Sequence, residues 1–159
     1  MRSGKEVDRA IDMYADTVRR LCTVYLKSYD DTEDIFQNVF IKYLLHSAPF
    51  SSPEHEKAWI IRVTINECKD FLKSLFRKSV PIDDILELQA ENADAETSDV
   101  LDAVLSLPKK YKDVVYLHYY EGYSAAEIAK LLRKNVNTIY TNLARARGLL
   151  RERLGDDFE

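Results

Sequence analysis

Apolar residues return every three or four positions along most of this chain, the period of helices with one buried face. The first stripe is Val7, Ile11, Tyr14, Val18, Leu21, Cys22 and Tyr25, and it predicts a helix from Lys5 to about Tyr29. Asp30-Asp31-Thr32 interrupts that pattern and can cap the next helix. This second helix, to about His46, sets Ile35, Phe36, Val39, Phe40, Tyr43 and Leu44 on one broad face. A loop over 47–52 holds Pro49 and Phe50. Ser52-Pro53-Glu54 then supplies a cap, a first-position proline and a first-turn acid, three signals of a helix start. The stripe that follows is Ala58, Ile61, Ile65, Cys68, Leu72 and Leu75, ending in the basic cluster Lys73, Arg77 and Lys78.

The periodicity lapses over residues 79–99. Val80-Pro81 breaks the helix, and beyond Ile82, Ile85, Leu86 and Leu88 the segment is small and acidic. It has too little apolar surface to order itself and is expected to be an extended or loosely structured linker. Val100, Leu101, Val104 and Leu105 then make a short helix. Pro108 opens another, carrying Val114, Val115 and Leu117 and stopping at Glu121-Gly122. Ser124 and Glu127, three apart, form a capping box before Ile128, Leu131 and Leu132. After the polar break Arg133-Lys134-Asn135, Asn135 can cap a last helix with the inner stripe Val136, Ile139, Leu143, Ala146 and Leu150. The expected fold is all-α: a helical domain over 1–78, an acidic linker over 79–99 and a helix-turn-helix domain over 100–159.

Composition agrees with that pattern. Four glycines and four prolines in 159 residues leave little room for a turn-rich β architecture. No apolar run approaches the ~18 residues of a membrane span, and the first residues lack the apolar core of a signal peptide, so a cytoplasmic protein without membrane insertion is expected. Cys22 and Cys68 both fall on apolar stripes and read as small buried hydrophobes rather than a disulfide or redox pair; a zinc site has too few ligands. No metal or other cofactor is expected. His46, His55 and His118 are scattered, and no Glu-x-x-His pair or glycine-rich phosphate loop occurs, so an enzyme has little support.

The net charge of −4 argues against a nucleic-acid partner until it is mapped. Residues 79–100 hold seven carboxylates and no cation. Between Lys130 and Arg153 the balance reverses, with seven basic residues against Glu152 alone, a surface suited to phosphate. On the last helix Asn137, Thr141, Ala144 and Arg145 lie away from the buried stripe. Asn and Arg can contact base edges in two places at once, and Thr can bond a base or a phosphate. Tyr140 flanks them, and Arg147, Arg151 and Arg153 lie farther along.

Several motifs together resemble a known family. They are Leu107-Pro108-Lys109-Lys110-Tyr111, Glu121-Gly122-Tyr123-Ser124, Glu127-Ile128-Ala129 and Ala144-Arg145-Ala146-Arg147, preceded by Asp31-Thr32-Glu33-Asp34-Ile35-Phe36-Gln37-Asn38-Val39-Phe40 and by Phe50 with Ala58-Trp59-Ile60-Ile61-Arg62. From about residue 8 to 154 the chain resembles the bacterial RNA polymerase sigma factors of the sigma-70 family, in the short extracytoplasmic-function (ECF) group. The resemblance implies core RNA polymerase as partner, through its β′ clamp and β flap, with promoter DNA and an anti-sigma factor. It implies that Asp34, Gln37, Asn38 and Phe40 dock on the clamp. Phe50, Trp59, Arg62, Asn66, Lys69 and Lys73 would engage the opened minus-ten element, where a flipped base needs an aromatic wall and a strand needs a basic path. Asn137, Tyr140, Thr141, Asn142, Arg145 and Arg147 would read the minus-thirty-five element. Two positions depart from the pattern: Thr141-Asn142 stands where relatives often carry Ser-Arg, and Asn38 replaces the usual glutamate. The acidic linker would thread near the RNA path or serve as a tether. Two other readings use the same elements: a stand-alone dimeric helix-turn-helix regulator, which would bind a palindrome by itself, and an interaction module that keeps the fold without binding DNA.

Overall fold

The computed structural model describes residues 1–26, 28–77 and 99–155, and among them every regular element is helical. The expected linker falls almost wholly outside these residues, as does Lys78. The chain divides into two units, Met1–Ala93 and Asp94–Glu159.

In the first unit, α1 spans Gly4–Tyr25, α2 Tyr29–Leu45 and α3 Pro53–Arg77. Ser3 caps α1, its hydroxyl accepting from the Glu6 amide at 3.2 Å. The break between α1 and α2 comes earlier than the sequence pattern places it. Ser28, not the Asp30-Asp31-Thr32 run, is the cap of α2, accepting from the Asp31 amide at 3.3 Å. The two aspartates thereby move into the first turn, where carboxylates face the positive end of the helix dipole. Ser52 caps α3 as the sequence predicts, accepting from the His55 amide at 3.1 Å.

The three helices pack around Tyr14, Val18, Leu21, Cys22, Ile35, Val39, Tyr43, Ile61, Ile65 and Cys68, all buried. The buried face of α3 is broader than its predicted stripe, because the helix packs against both α1 and α2. Ile60 and Thr64 are therefore wholly enclosed. Thr64 meets the cost of burying a hydroxyl by donating to the Ile60 carbonyl at 2.7 Å. Cys22 and Cys68 are free thiols, packed with their sulfurs 3.9 Å apart across α1 and α3.

Among the described residues of this unit, Glu56 is the buried carboxylate, 6% exposed. It accepts from Arg9 at 2.8 Å, from the Tyr14 hydroxyl at 2.9 Å and from the Tyr43 hydroxyl at 2.9 Å, joining all three helices. Burial pushes its carboxyl up, but the bonds from Arg9, Tyr43 and Tyr14 outweigh that and hold it below its ordinary value. Burial, and then the bond to Glu56, push Tyr14 up to about 12.

The second unit contains α4 (Asp99–Leu105), α5 (Lys109–Val115), α6 (Ala125–Leu132) and α7 (Val136–Leu154). The hydrogen bonds after α5 shift register into a π-helical turn, Tyr116–Tyr120, where the sequence shows only a continuing helix. Gly122 follows at φ +75°, a left-handed backbone that glycine adopts without strain. The capping box of α6 forms in full. Ser124 Oγ accepts from the Glu127 amide at 3.2 Å, and Glu127 returns the contact to the Ser124 amide at 3.0 Å. Arg133 ends α6 in the left-handed conformation, φ +54°. Asn135 caps α7, accepting from the Asn137 amide at 2.8 Å. Ile128 and Leu131 of α6 and Ile139, Leu143, Ala146 and Leu150 of α7 are buried, as a docked helix-turn-helix requires.

Candidate polymerase and nucleic-acid interfaces

The face of α7 opposite its buried stripe carries Asn137, Thr141, Ala144, Arg145 and Gly148, all exposed. Tyr140 stands on the flank, 60% exposed. Small residues at 144 and 148 leave the middle of this face low, so a groove wall can approach the helix. Thr141 donates its hydroxyl to the Asn137 carbonyl at 2.9 Å, leaving its oxygen lone pairs as acceptors. Arg147 is half-buried and donates from Nε to the Tyr119 hydroxyl at 2.9 Å, so its terminal nitrogens remain as the edge that can meet phosphate. Asn142 is placed differently from the other residues expected at the minus-thirty-five element. It is 7% exposed and sits on the buried side, beside Leu143. It occupies the seam between core and surface, one step round the helix from the exposed row.

Along α3, Trp59, Arg62, Asn66, Lys69 and Lys73 follow one another at steps of three and four, which aligns them in one row. Asn66 and Lys73 are exposed, and Trp59, Arg62 and Lys69 are half-buried. The Arg62 Nε is buried and has no partner among the described residues. At the head of this row lies the 47–52 loop. Its Phe50 is enclosed by aromatic rings, with centroids 5.3 Å away at His55, 5.4 Å at His46, 5.7 Å at Trp59 and 6.2 Å at Tyr43. An aromatic wall thus stands at one end of a basic path, the combination that holds a single strand by stacking and charge.

On α2, Asp34, Gln37 and Asn38 are exposed along one side. Phe40 is not: it is 5% exposed, and it packs against Phe36 with centroids 4.8 Å apart. Of the four α2 residues expected at the clamp, Phe40 is therefore the one that lies in the core, behind the exposed side of the helix. Phe36 is half-buried, with the Arg19 guanidinium 4.2 Å over its ring. The exposed apolar residues of this helix are others. Ile41 and Leu45, 52% and 64% exposed, continue the row from Gln37 and Asn38 at helical spacing. Sequence periodicity could have found them, because they fall outside the core stripe yet remain large and apolar.

Among the described residues, no three metal-ligating side chains gather, and no helix is long and apolar enough to cross a membrane.

Known proteins share this arrangement. The model of sigma-70 region 2 matches residues 10–78, and that of sigma-70 region 4 matches 97–150. The RNA polymerase sigma factor SigV of Bacillus subtilis is 31% identical over 137 residues, covering 85% of this chain and 82% of SigV. The ECF RNA polymerase sigma factor SigW of the same organism is 25% identical over 169 residues, 92% and 87% of the two chains. In fold, the chain is similar to the sigma factor RpoE of Bartonella quintana, solved with the anti-sigma factor NepR, with a TM-score of 0.74 at 20% identity over 96% of this chain and 99% of that one. With both family regions matched in order, and a sigma factor of nearly the same length aligned across most of the chain, this protein belongs to the sigma-70 family of RNA polymerase sigma factors, in the extracytoplasmic-function group.

Proposed function

We propose that the chain binds core RNA polymerase and directs initiation at promoters by reading a minus-ten and a minus-thirty-five element. It is not itself an enzyme, since RNA synthesis belongs to the polymerase. The α2 row of Asp34, Gln37, Asn38, Ile41 and Leu45 docks on the β′ clamp. An apolar centre with a polar rim is the ordinary anatomy of a protein interface. The α3 row and Phe50 hold the opened minus-ten strand: Phe50 supplies a wall for an unstacked base, Asn66 hydrogen bonds, and Lys69 and Lys73 charge for the backbone. Helix α7 enters the major groove of the minus-thirty-five element, where Asn137 and Arg145 reach base edges and Arg147 and Tyr140 meet the backbone. The second unit also meets the β flap, an anti-sigma factor holds the protein inactive, and its place of action is the cytoplasm.

The observation that carries this reading is the occurrence of two unlike surfaces in one chain, each suited to DNA: an exposed helix face bearing Asn137 and Arg145, and an aromatic cluster heading a basic row. A symmetric regulator needs only the first. The test is run-off transcription on a genomic promoter library with core polymerase, with and without the protein. A discrete set of start sites that depends on the protein is the expected result. Initiation no more specific than that of core alone would refute the reading.

A further inference from the structure

Arg2 lies ahead of residue 10, where the region 2 match begins, and it nonetheless makes several contacts at the 47–52 loop. Its backbone amide donates to the Leu44 carbonyl at 2.8 Å. Leu44 is in the last turn of α2, where carbonyls lack helical partners and the helix dipole favours a cation. Its Nη2 donates to the Ala48 carbonyl at 2.6 Å. Its guanidinium carbon lies 4.7 Å from the centre of the Tyr43 ring and 4.8 Å from that of Phe50. Nη1 pairs with Glu6 at 3.2 Å, which anchors the side chain to α1. The side chain is only 10% exposed. One residue therefore touches the end of α2, the backbone of the loop and the face of its aromatic ring.

We propose that Arg2 is a positioning residue for the minus-ten site, fixing the 47–52 loop and the orientation of Phe50 before DNA arrives. The inference rests on the proposed role of Phe50 as the wall for an unstacked base. A wall that is already ordered spares the complex the cost of ordering it on binding. Arginine suits the task because its planar guanidinium presents separate nitrogens to the Ala48 carbonyl and the Glu6 carboxylate while its face lies over a ring; lysine has a single ammonium nitrogen and no planar face to stack.

The test uses the complete chain, wild type, Arg2→Ala and Arg2→Lys. The chain has a single tryptophan, Trp59, whose ring stands 5.7 Å from Phe50 and 4.6 Å from His46, so its fluorescence in the free protein reports the cluster. Each protein is then bound to core polymerase. The affinity for a single-stranded oligonucleotide is measured, its sequence taken from the non-template minus-ten strand of a promoter recovered in the run-off experiment. Arg2→Ala should shift Trp59 emission and weaken oligonucleotide binding about five- to tenfold, with core affinity changed by less than about twofold; Arg2→Lys should fall between. Unchanged oligonucleotide binding by Arg2→Ala would overturn the inference. So would full affinity in Arg2→Lys, which would mean that charge alone suffices, or an equal loss of core and oligonucleotide binding in both variants, which would mark a merely structural role. If the wild-type holoenzyme fails to hold the oligonucleotide, the minus-ten reading fails and this inference with it.

Discussion

Glu56 illustrates how one residue ties the first unit together. Its partnership with Arg9 is half in solvent, the arginine side chain being 49% exposed, so the ion pair itself contributes little. The two tyrosine hydroxyls matter more, because both would be left buried without an acceptor. Glu56→Ala should therefore cost about 2–3 kcal/mol in urea unfolding. The pH dependence follows from the lowered carboxyl. Its contribution is complete above the ordinary value of 4.5 and is lost as pH falls through the lower, folded-state value. As pH falls from 4.5 toward that lower value, wild-type stability should drop more steeply than that of Glu56→Gln, and parallel acid limbs would contradict the assignment. In the sequence Glu56 looks like any first-turn acid. The available clue was Tyr14 and Tyr43 on core stripes, each carrying a hydroxyl that burial obliges to find a partner. Asn142 was named by the family resemblance and not by the apolar period, and the structure buries it beside Leu143. In the holoenzyme, Asn142→Ala should change promoter affinity by less than about threefold, whereas Arg145→Ala should reduce it by tenfold or more, the scale of a lost base-edge contact. Comparable losses from both would place Asn142 on the DNA face.

At the scale of elements, start signals were legible wherever a single cap stood before an apolar run, as at Ser52, Ser124 and Asn135. The α1–α2 junction was not, because Ser28, Asp30, Asp31 and Thr32 can all cap and only tertiary packing selects among them. The π-helical turn at Tyr116–Tyr120 had no signature either: it is a change in hydrogen-bond register, not in the apolar pattern. Helix α2 gives the clearest functional prediction at this scale. Ile41 and Leu45 are exposed, so replacing both with alanine should leave the unfolding free energy nearly unchanged. The same double variant should weaken core polymerase binding about tenfold or more if they form the apolar centre of the docking face. A variant that binds core as tightly as wild type would move the interface elsewhere on the unit.

For the whole molecule, the sequence disclosed the family because two sets of motifs occur in the right order and at the right separation, something neither unit specifies alone. The two surfaces are proposed to face DNA together only when core polymerase holds the chain. The central claim is thus that promoter recognition belongs to the holoenzyme. The direct measurement is a footprint on a promoter recovered by run-off transcription, made with this chain alone, with core alone and with both. The account predicts protection of two dissimilar elements, together with an opened minus-ten region, only when chain and core are combined. Strong protection of an inverted repeat by the chain alone, unaffected by core polymerase, would contradict it.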